Sequence, residues 1–149
     1  MKKRNEEPSL SHQEERLGLL LWFRLSRVYN RSIRESNQHL KKWNLSAAQF
    51  DVLVQVGSHQ RLSQQELAEK LFVTKGNITQ LLGKMEKLGY IKREQEWKTK
   101  YLSLTEKGKA LFQEVVPRQE QFQAAQFSAL TIAEKKQLLF LLRKTTKNE

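Results

Sequence analysis

The sequence predicts a mainly α protein with a small β wing: a helix-turn-helix lobe joined to a second lobe of N- and C-terminal helices that pairs two copies of the chain. Three observations carry this. Leu62 to Gly89 reads as two short helices with a tight turn between them, a supporting helix and then a longer one with a polar N-terminal half. Helix starts along the chain are marked by Ser or Thr followed three residues later by Glu or Gln, the capping-box signature. Both ends of the chain hold helical stretches that are apolar on every side, more than one small lobe can cover.

Residues 1–10 are charged and read as a disordered N-terminus, and a single unit spans 11–149. Ser11 with Glu14 opens a long helix reaching about Leu40, free of proline and with Gly18 its only glycine. At ~1.5 Å per residue, thirty residues reach roughly 45 Å, longer than a small domain is wide. Leu19-Leu20-Leu21-Trp22-Phe23 leaves no polar side on that helix. A central helix of a monomer is one reading; a second subunit on its far side explains the pattern better. Trp43-Asn44-Leu45 connects to a helix capped by Ser46 and Gln49, with Phe50, Leu53 and Val54 facing inward and an end at Gly57–Arg61.

Ser63 and Glu66 cap the supporting helix, whose Leu67, Ala68 and Leu71 form one face. Phe72-Val73 makes the turn. Thr74 is placed to cap the second helix, in which Ile78, Leu81, Leu82, Met85 and Leu88 recur at three- and four-residue spacing until Gly89 stops it in a left-handed conformation. Tyr90–Glu94 and Thr99–Leu104 read as strands. Gln95-Glu96-Trp97-Lys98 lies between them as the wing, with no Gly, Pro, Asn or Asp to set a tight turn. Thr105 caps a helix running past Leu111, Phe112 and Val115 to an expected kink at Pro117 and on to about Phe127. Thr131 with Glu134 opens the last helix, where Leu138-Leu139-Phe140-Leu141-Leu142 would expose a patch inviting association. The dimerising segments are thus 11–42 and 106–149, around a lobe at 46–105.

The 149 residues are 38% hydrophobic, enough for a core. Lys plus Arg number 27 against 16 Asp plus Glu, a net charge of +11 that favours a polyanion through counterion release. Nucleic acid leads, and an anionic membrane surface is the alternative. Against a membrane partner, the longest apolar run, Leu17 to Phe23, is too short to span. Without cysteine there is no disulfide and no thiol-based redox sensing. MKKRNEEPSLSHQEE has no apolar core of a secretory signal, so the expected location is cytoplasmic. His12, His39 and His59 lack metal-ligand spacing, and no phosphate loop, GxSxG or HExxH occurs. Neither an enzyme nor a cofactor is expected.

On the longer helix of the pair, Lys75, Gly76, Asn77, Thr79, Gln80 and Lys84 occupy the polar side, with no acid before Glu86. Lys75 and Lys84 suit phosphates, and Asn77, Thr79 and Gln80 suit base edges, since amides can pair bidentately with adenine. The bland reading is a solvated helix face. Capped turn and net charge together tilt the balance toward double-stranded DNA.

The strings LSAAQFDVL, LSQQELAEKL, VTKGNITQLLGKMEKLGYI and LSLTEKG, in that order and spacing, resemble the MarR family of winged helix-turn-helix transcription regulators. The resemblance implies a homodimer interlocked by N- and C-terminal helices, binding a pseudo-palindromic operator, and a ligand-responsive repressor. It places the DNA-contacting positions at Thr74, Lys75, Asn77, Thr79, Gln80 and Lys84. Gln80 stands where arginine is common in the family, and Phe72 where the turn often has glycine. Glu96-Trp97-Lys98 replaces an Asp-x-Arg whose arginine enters the minor groove, in a shorter wing, so phosphate neutralisation by Arg93, Lys98 and Lys100 is the expected wing contact. Members of the family often answer to small aromatic or phenolic ligands bound between the lobes, and WKTKYLSLTEKG resembles a quinone-responsive branch. Trp22, Phe23, Tyr29, Trp43 and Phe50 are the candidate pocket residues, although aromatics at helical spacing are more often core. Two rival readings stand beside this one. A winged-helix protein-interaction module would bind duplex with a flat salt dependence, and a non-specific or architectural DNA-binding protein would treat random and operator-like duplexes alike.

Overall fold

The computed structural model describes residues 9–71, 73 and 75–146; the readings placed on residues 1–8, Phe72 and Thr74 lie outside them. The chain divides at Glu35/Ser36 into two units.

Helix α1, His12–Leu40, begins where Ser11 and Glu14 exchange bonds: the Ser11 amide donates to the Glu14 carboxylate at 2.8 Å and the Glu14 amide to the Ser11 hydroxyl at 3.2 Å. In the N-terminal unit it carries a long series of exposed apolar side chains, from Leu17 to Tyr29, with Trp22 at 66% and Phe23 at 62%. The apolar-all-round pattern is thus a surface in this chain rather than a core.

In the second unit a 3₁₀ turn at Lys41–Trp43 ends on Asn44, whose left-handed backbone (φ 56°) redirects the chain into α2, Ala47–Ser58. Asn37 helps set that junction, its side-chain oxygen accepting from the Ala47 amide at 2.8 Å. Strand β1, Leu62–Ser63, precedes α3, Gln64–Lys70, and α4, Lys75–Lys87. Gly89 takes φ 79°, the left-handed stop expected of it. Strands β2, Ile91–Glu96, and β3, Thr99–Leu104, are followed by α5, Glu106–Ala125, and α6, Ile132–Thr145. The antiparallel sheet has the order β1-β3-β2, with Leu62 opposite Leu102, Ile91 opposite Leu104 and Glu96 opposite Thr99. β1 went unread in the sequence because two residues cannot show alternation.

One core joins these elements. Leu53 of α2, Leu67 of α3, Ile78, Leu82 and Met85 of α4, Leu102 of β3 and Val115 of α5 are buried together. The three- and four-residue spacing on α4 therefore packs its apolar side down and leaves its polar side out. α5 runs through Pro117, the position of the expected kink, without a break in its helical backbone assignment. At its start, Thr105 accepts from the Gly108 amide at 3.0 Å and donates to the Gly89 carbonyl at 2.5 Å, tying the end of the sheet to the end of α4. Farther along, fully buried Gln119 meets the His39 ring nitrogen at 2.7 Å and Phe122 stacks on that ring, pinning the last turn of α1 to α5.

Candidate nucleic-acid interface

The site rests on how α4 is held. Its exposed side presents Lys75, Asn77, Thr79, Gln80 and Lys84. Asn77, Gln80 and Lys84 recur at three and four residues and so form one row along the helix. The single acid of α4, Glu86, is ion-paired with Arg93 of β2, so the face projects net positive charge.

Thr79 and Arg93 each have partners within the fold that the sequence did not announce. The Thr79 hydroxyl donates to the Lys75 carbonyl at 2.8 Å and accepts from the Gln64 side-chain amide at 3.1 Å, so its oxygen is already engaged within the fold. Gln64 in turn accepts from Arg93 at 3.4 Å. Arg93 sits at the base of the hairpin with its side chain 24% exposed, held inward by Glu86. Both act as a brace linking α3, α4 and β2. Gln64 and Glu86 were missed as part of this site because neither carries a motif; only the register of β2 against β3 brings Arg93 within reach of both.

The wing is tighter than the four-residue span read from the sequence. Glu96 pairs with Thr99, leaving Trp97 and Lys98 as a two-residue turn with Trp97 at φ 56°. A left-handed first turn residue is what such hairpins demand and what glycine usually supplies. For a bulky side chain the strain is on the order of 1–2 kcal/mol. The Gln95 side-chain amide donates to the Trp97 carbonyl at 3.2 Å and helps hold the turn. Trp97 is 84% exposed, and the Lys98 ammonium lies 4.8 Å from its ring centre. Arg61 ion-pairs with Glu96 and covers the Tyr101 ring at 3.9 Å. Glu94 pairs with Lys92 at 3.8 Å. The hairpin acids are therefore matched, and Lys98 and Lys100 supply its outward charge. Lys100 also lines an open cleft of about 610 Å³ with Gln64, Ala68, Lys75, Ile78 and Thr79, which sets the wing beside the N-terminal half of α4.

The aromatic pocket candidates divide between the units. Phe50 is 4% exposed within the core cluster, a packing residue rather than a cavity wall. Trp43 packs half-buried against that core and donates its indole N–H to Glu114 at 3.2 Å. Trp22, Phe23 and Tyr29 belong to the N-terminal unit and are exposed. Among the described residues no group of His, Cys, Asp and Glu could hold a metal ion, and no helix is long and apolar enough to cross a membrane.

A profile of the MarR family matches residues 43–96. An uncharacterized HTH-type transcriptional regulator of Bacillus anthracis is 45% identical over 130 residues, spanning 87% of this chain and 88% of that one. Two solved structures share the fold. The Staphylococcus aureus MepR–DNA complex superposes with a TM-score of 0.77 at 22% identity, covering 83% of this chain and 93% of that one. Bordetella bronchiseptica BpsR, described for regulation of its DNA binding by 6-hydroxynicotinic acid, gives 0.78 at 24%, covering 86% and 99%. With the capped supporting helix α3, the basic outward face of α4 and the short hairpin beside it, the chain belongs to the MarR family of winged-helix transcriptional regulators.

Proposed function

We propose that the chain works as a homodimer that binds a pseudo-palindromic operator, one α4 per half-site, and represses transcription until a small aromatic effector, phenolic or quinone-like, weakens binding. The observation that carries this is the outward face of α4, whose row of Asn77, Gln80 and Lys84 carries no unmatched acid because Arg93 neutralises Glu86. In the major groove, the amides of Asn77 and Gln80 face base edges and Lys75, Lys84, Lys98 and Lys100 face phosphates. The dimer is supported by apolar surface at both ends of the chain. Alongside the exposed series on α1, α6 displays Leu139 at 61% and Phe140 at 59%, exposures that a lone soluble chain rarely sustains over contiguous side chains. The segments 11–42 and 106–149 would supply the dimer lobe, and 46–105 the DNA-binding lobe.

Effector control is supported by kinship: BpsR, of similar fold, is a protein whose DNA binding 6-hydroxynicotinic acid regulates. Thiol oxidation has no residue to act on here, since the chain has no cysteine. Trp22, Phe23, Tyr29 and Trp43 remain the aromatic side chains available to an effector once two copies associate.

The test is selection of genomic fragments by the purified protein at physiological salt, repeated with a panel of phenols and quinones, beside sedimentation of the free protein. A dimer, an enriched two-fold site and its loss with one compound class would support the reading. A monomer, or equal capture of random and enriched duplexes, would refute it.

A further inference from the structure

We propose that Gly83 is a specificity-determining residue of α4: the side chain it lacks lets the helix backbone touch the duplex on the line pointing away from the core, so that the Gln80 amide reaches the base edges on the groove floor. The inference deepens the DNA-binding reading above and rests on it. α4 holds two glycines, Gly76 and Gly83, and glycine is the poorest helix former after proline. The fold asks for neither of them. Neither takes a left-handed backbone, and a Cβ built on either meets nothing within 4 Å among the described residues. Gly57, Gly89 and Gly108, by contrast, answer to the fold. A Cβ at Gly57 would run into Phe112, one at Gly108 into the Tyr90 carbonyl, and Gly89 takes φ 79°. A glycine inside a helix with no packing or backbone reason in its own chain points to close approach by another molecule.

Position supplies the partner. Gly76 precedes Ile78 by two residues and Gly83 precedes Met85 by two, and those two side chains are 1% and 0% exposed. Two residues turn a helix by about 200°, so both glycines lie opposite the buried side, about two turns apart. Gln80 stands between them on nearly the same line. A helix about 10–12 Å across nearly fills a major groove roughly 12 Å wide, and the line opposite the core is the part that enters first. A side chain at position 83 would set how deep α4 seats; glycine leaves that depth to Gln80. The glutamine side chain is shorter than those of Lys84 and Lys87, which border Gly83. It therefore reads a base only from a close seat, from which the lysines still reach phosphates. Charge around the position fits a polyanion, because Glu86, the single acid of α4, is taken up by Arg93.

The experiment compares the wild-type chain with Gly83→Ala and Gly83→Leu, each alone and combined with Gln80→Ala, on a duplex enriched by the selection described above. Gly83→Ala should raise the thermal midpoint of the free protein by roughly 2–4 °C, because alanine is the better helix former and its methyl group meets open space. The same variant should bind the duplex on the order of tenfold more weakly, the loss expected when a bidentate base contact is no longer reached. Because no charge changes, the dependence of log K on log salt should keep its slope. In a repeated selection, base preference should relax at the base pair that Gln80→Ala alters. Gly83→Leu should bind more weakly still, and Gly83→Ala should cost little once Gln80 is already alanine. Stability and binding thus move in opposite directions. Wild-type affinity and base preference in Gly83→Ala would overturn the proposal, and so would a lowered midpoint, which would make the glycine a requirement of the fold. A loss of the same size with and without Gln80, base preference intact, would overturn it as well. A wild-type chain that prefers no sequence removes the DNA-binding reading and this inference with it, whereas a sequence preference indifferent to Gly83 removes the inference alone.

Discussion

Replacing Arg93 by methionine separates two roles that the sequence alone could not distinguish. Read from the sequence, Arg93 is a wing cation for phosphate; read from its contacts, it is the brace that holds β2 against α4. Its side chain is 24% exposed and that of Glu86 33%, so the pair lies between an exposed and a buried ion pair. Exposed pairs contribute about 0.2–1 kcal/mol, and removing one partner of a buried pair costs about 3–5 kcal/mol. Arg93→Met should therefore destabilise by about 1–2 kcal/mol, most of it from leaving the Glu86 carboxylate half-buried and unmatched. For a chain of this size that is a fall in thermal midpoint of roughly 3–8 °C, read by circular dichroism. The double variant Glu86→Gln/Arg93→Met should lose less than the sum of the single losses, because it removes the orphaned charge. Duplex binding measured at several salt concentrations should show an unchanged slope. If Arg93→Met instead keeps the wild-type midpoint and lowers the slope by about 0.9 for each subunit, Arg93 is a phosphate contact and the bracing role is wrong.

Three further outcomes are expected. Lys84→Ala should weaken binding to every duplex alike and reduce the salt slope by about 0.9 per subunit, whereas Gln80→Ala should leave the slope and shift base preference in a repeated selection. Gly108→Ala should destabilise by about 1–3 kcal/mol in denaturant unfolding despite alanine's better helix propensity, because a Cβ there collides with the Tyr90 carbonyl oxygen, which already accepts from the Thr105 amide at 3.0 Å. At the start of α6, the bond from the Thr131 backbone amide, and secondarily that with its hydroxyl, hold the Glu134 carboxyl below the ordinary glutamate value. A depressed folded value means that this contribution is present above the ordinary range and lost as pH falls through the folded value. Protection of the amides in the first turn of α6, taken relative to the unstructured exchange rate at each pH, should accordingly fall in acid in the wild-type chain and show a flatter pH profile in Glu134→Gln.

Much of this was legible because helix starts are written locally. Ser46 with Gln49, Ser63 with Glu66 and Thr131 with Glu134 each form the reciprocal pair of bonds that the three-residue spacing announces. The buried side of α4 likewise follows from Ile78, Leu82 and Met85 at helical spacing. What stayed hidden depends on residues distant in sequence. Arg93 meets Glu86 and Gln64 only after the sheet forms, and nothing in β2 read alone distinguishes a brace from a phosphate contact. The wing misled for a different reason: Trp97 occupies a backbone conformation its side chain disfavours, so residue preference pointed to a looser loop than the tight turn that forms. The five aromatics grouped as a pocket include Phe50, and composition alone cannot tell a core ring from a lining one.

The most direct test of the central claim is guanine N7 methylation interference on an enriched duplex. Two clusters of interference related by two-fold symmetry, centred about one helical turn or ~34 Å apart and shifted or weakened by Gln80→Ala, are the predicted result. A single cluster, or binding indifferent to methylation throughout the duplex, would contradict the account.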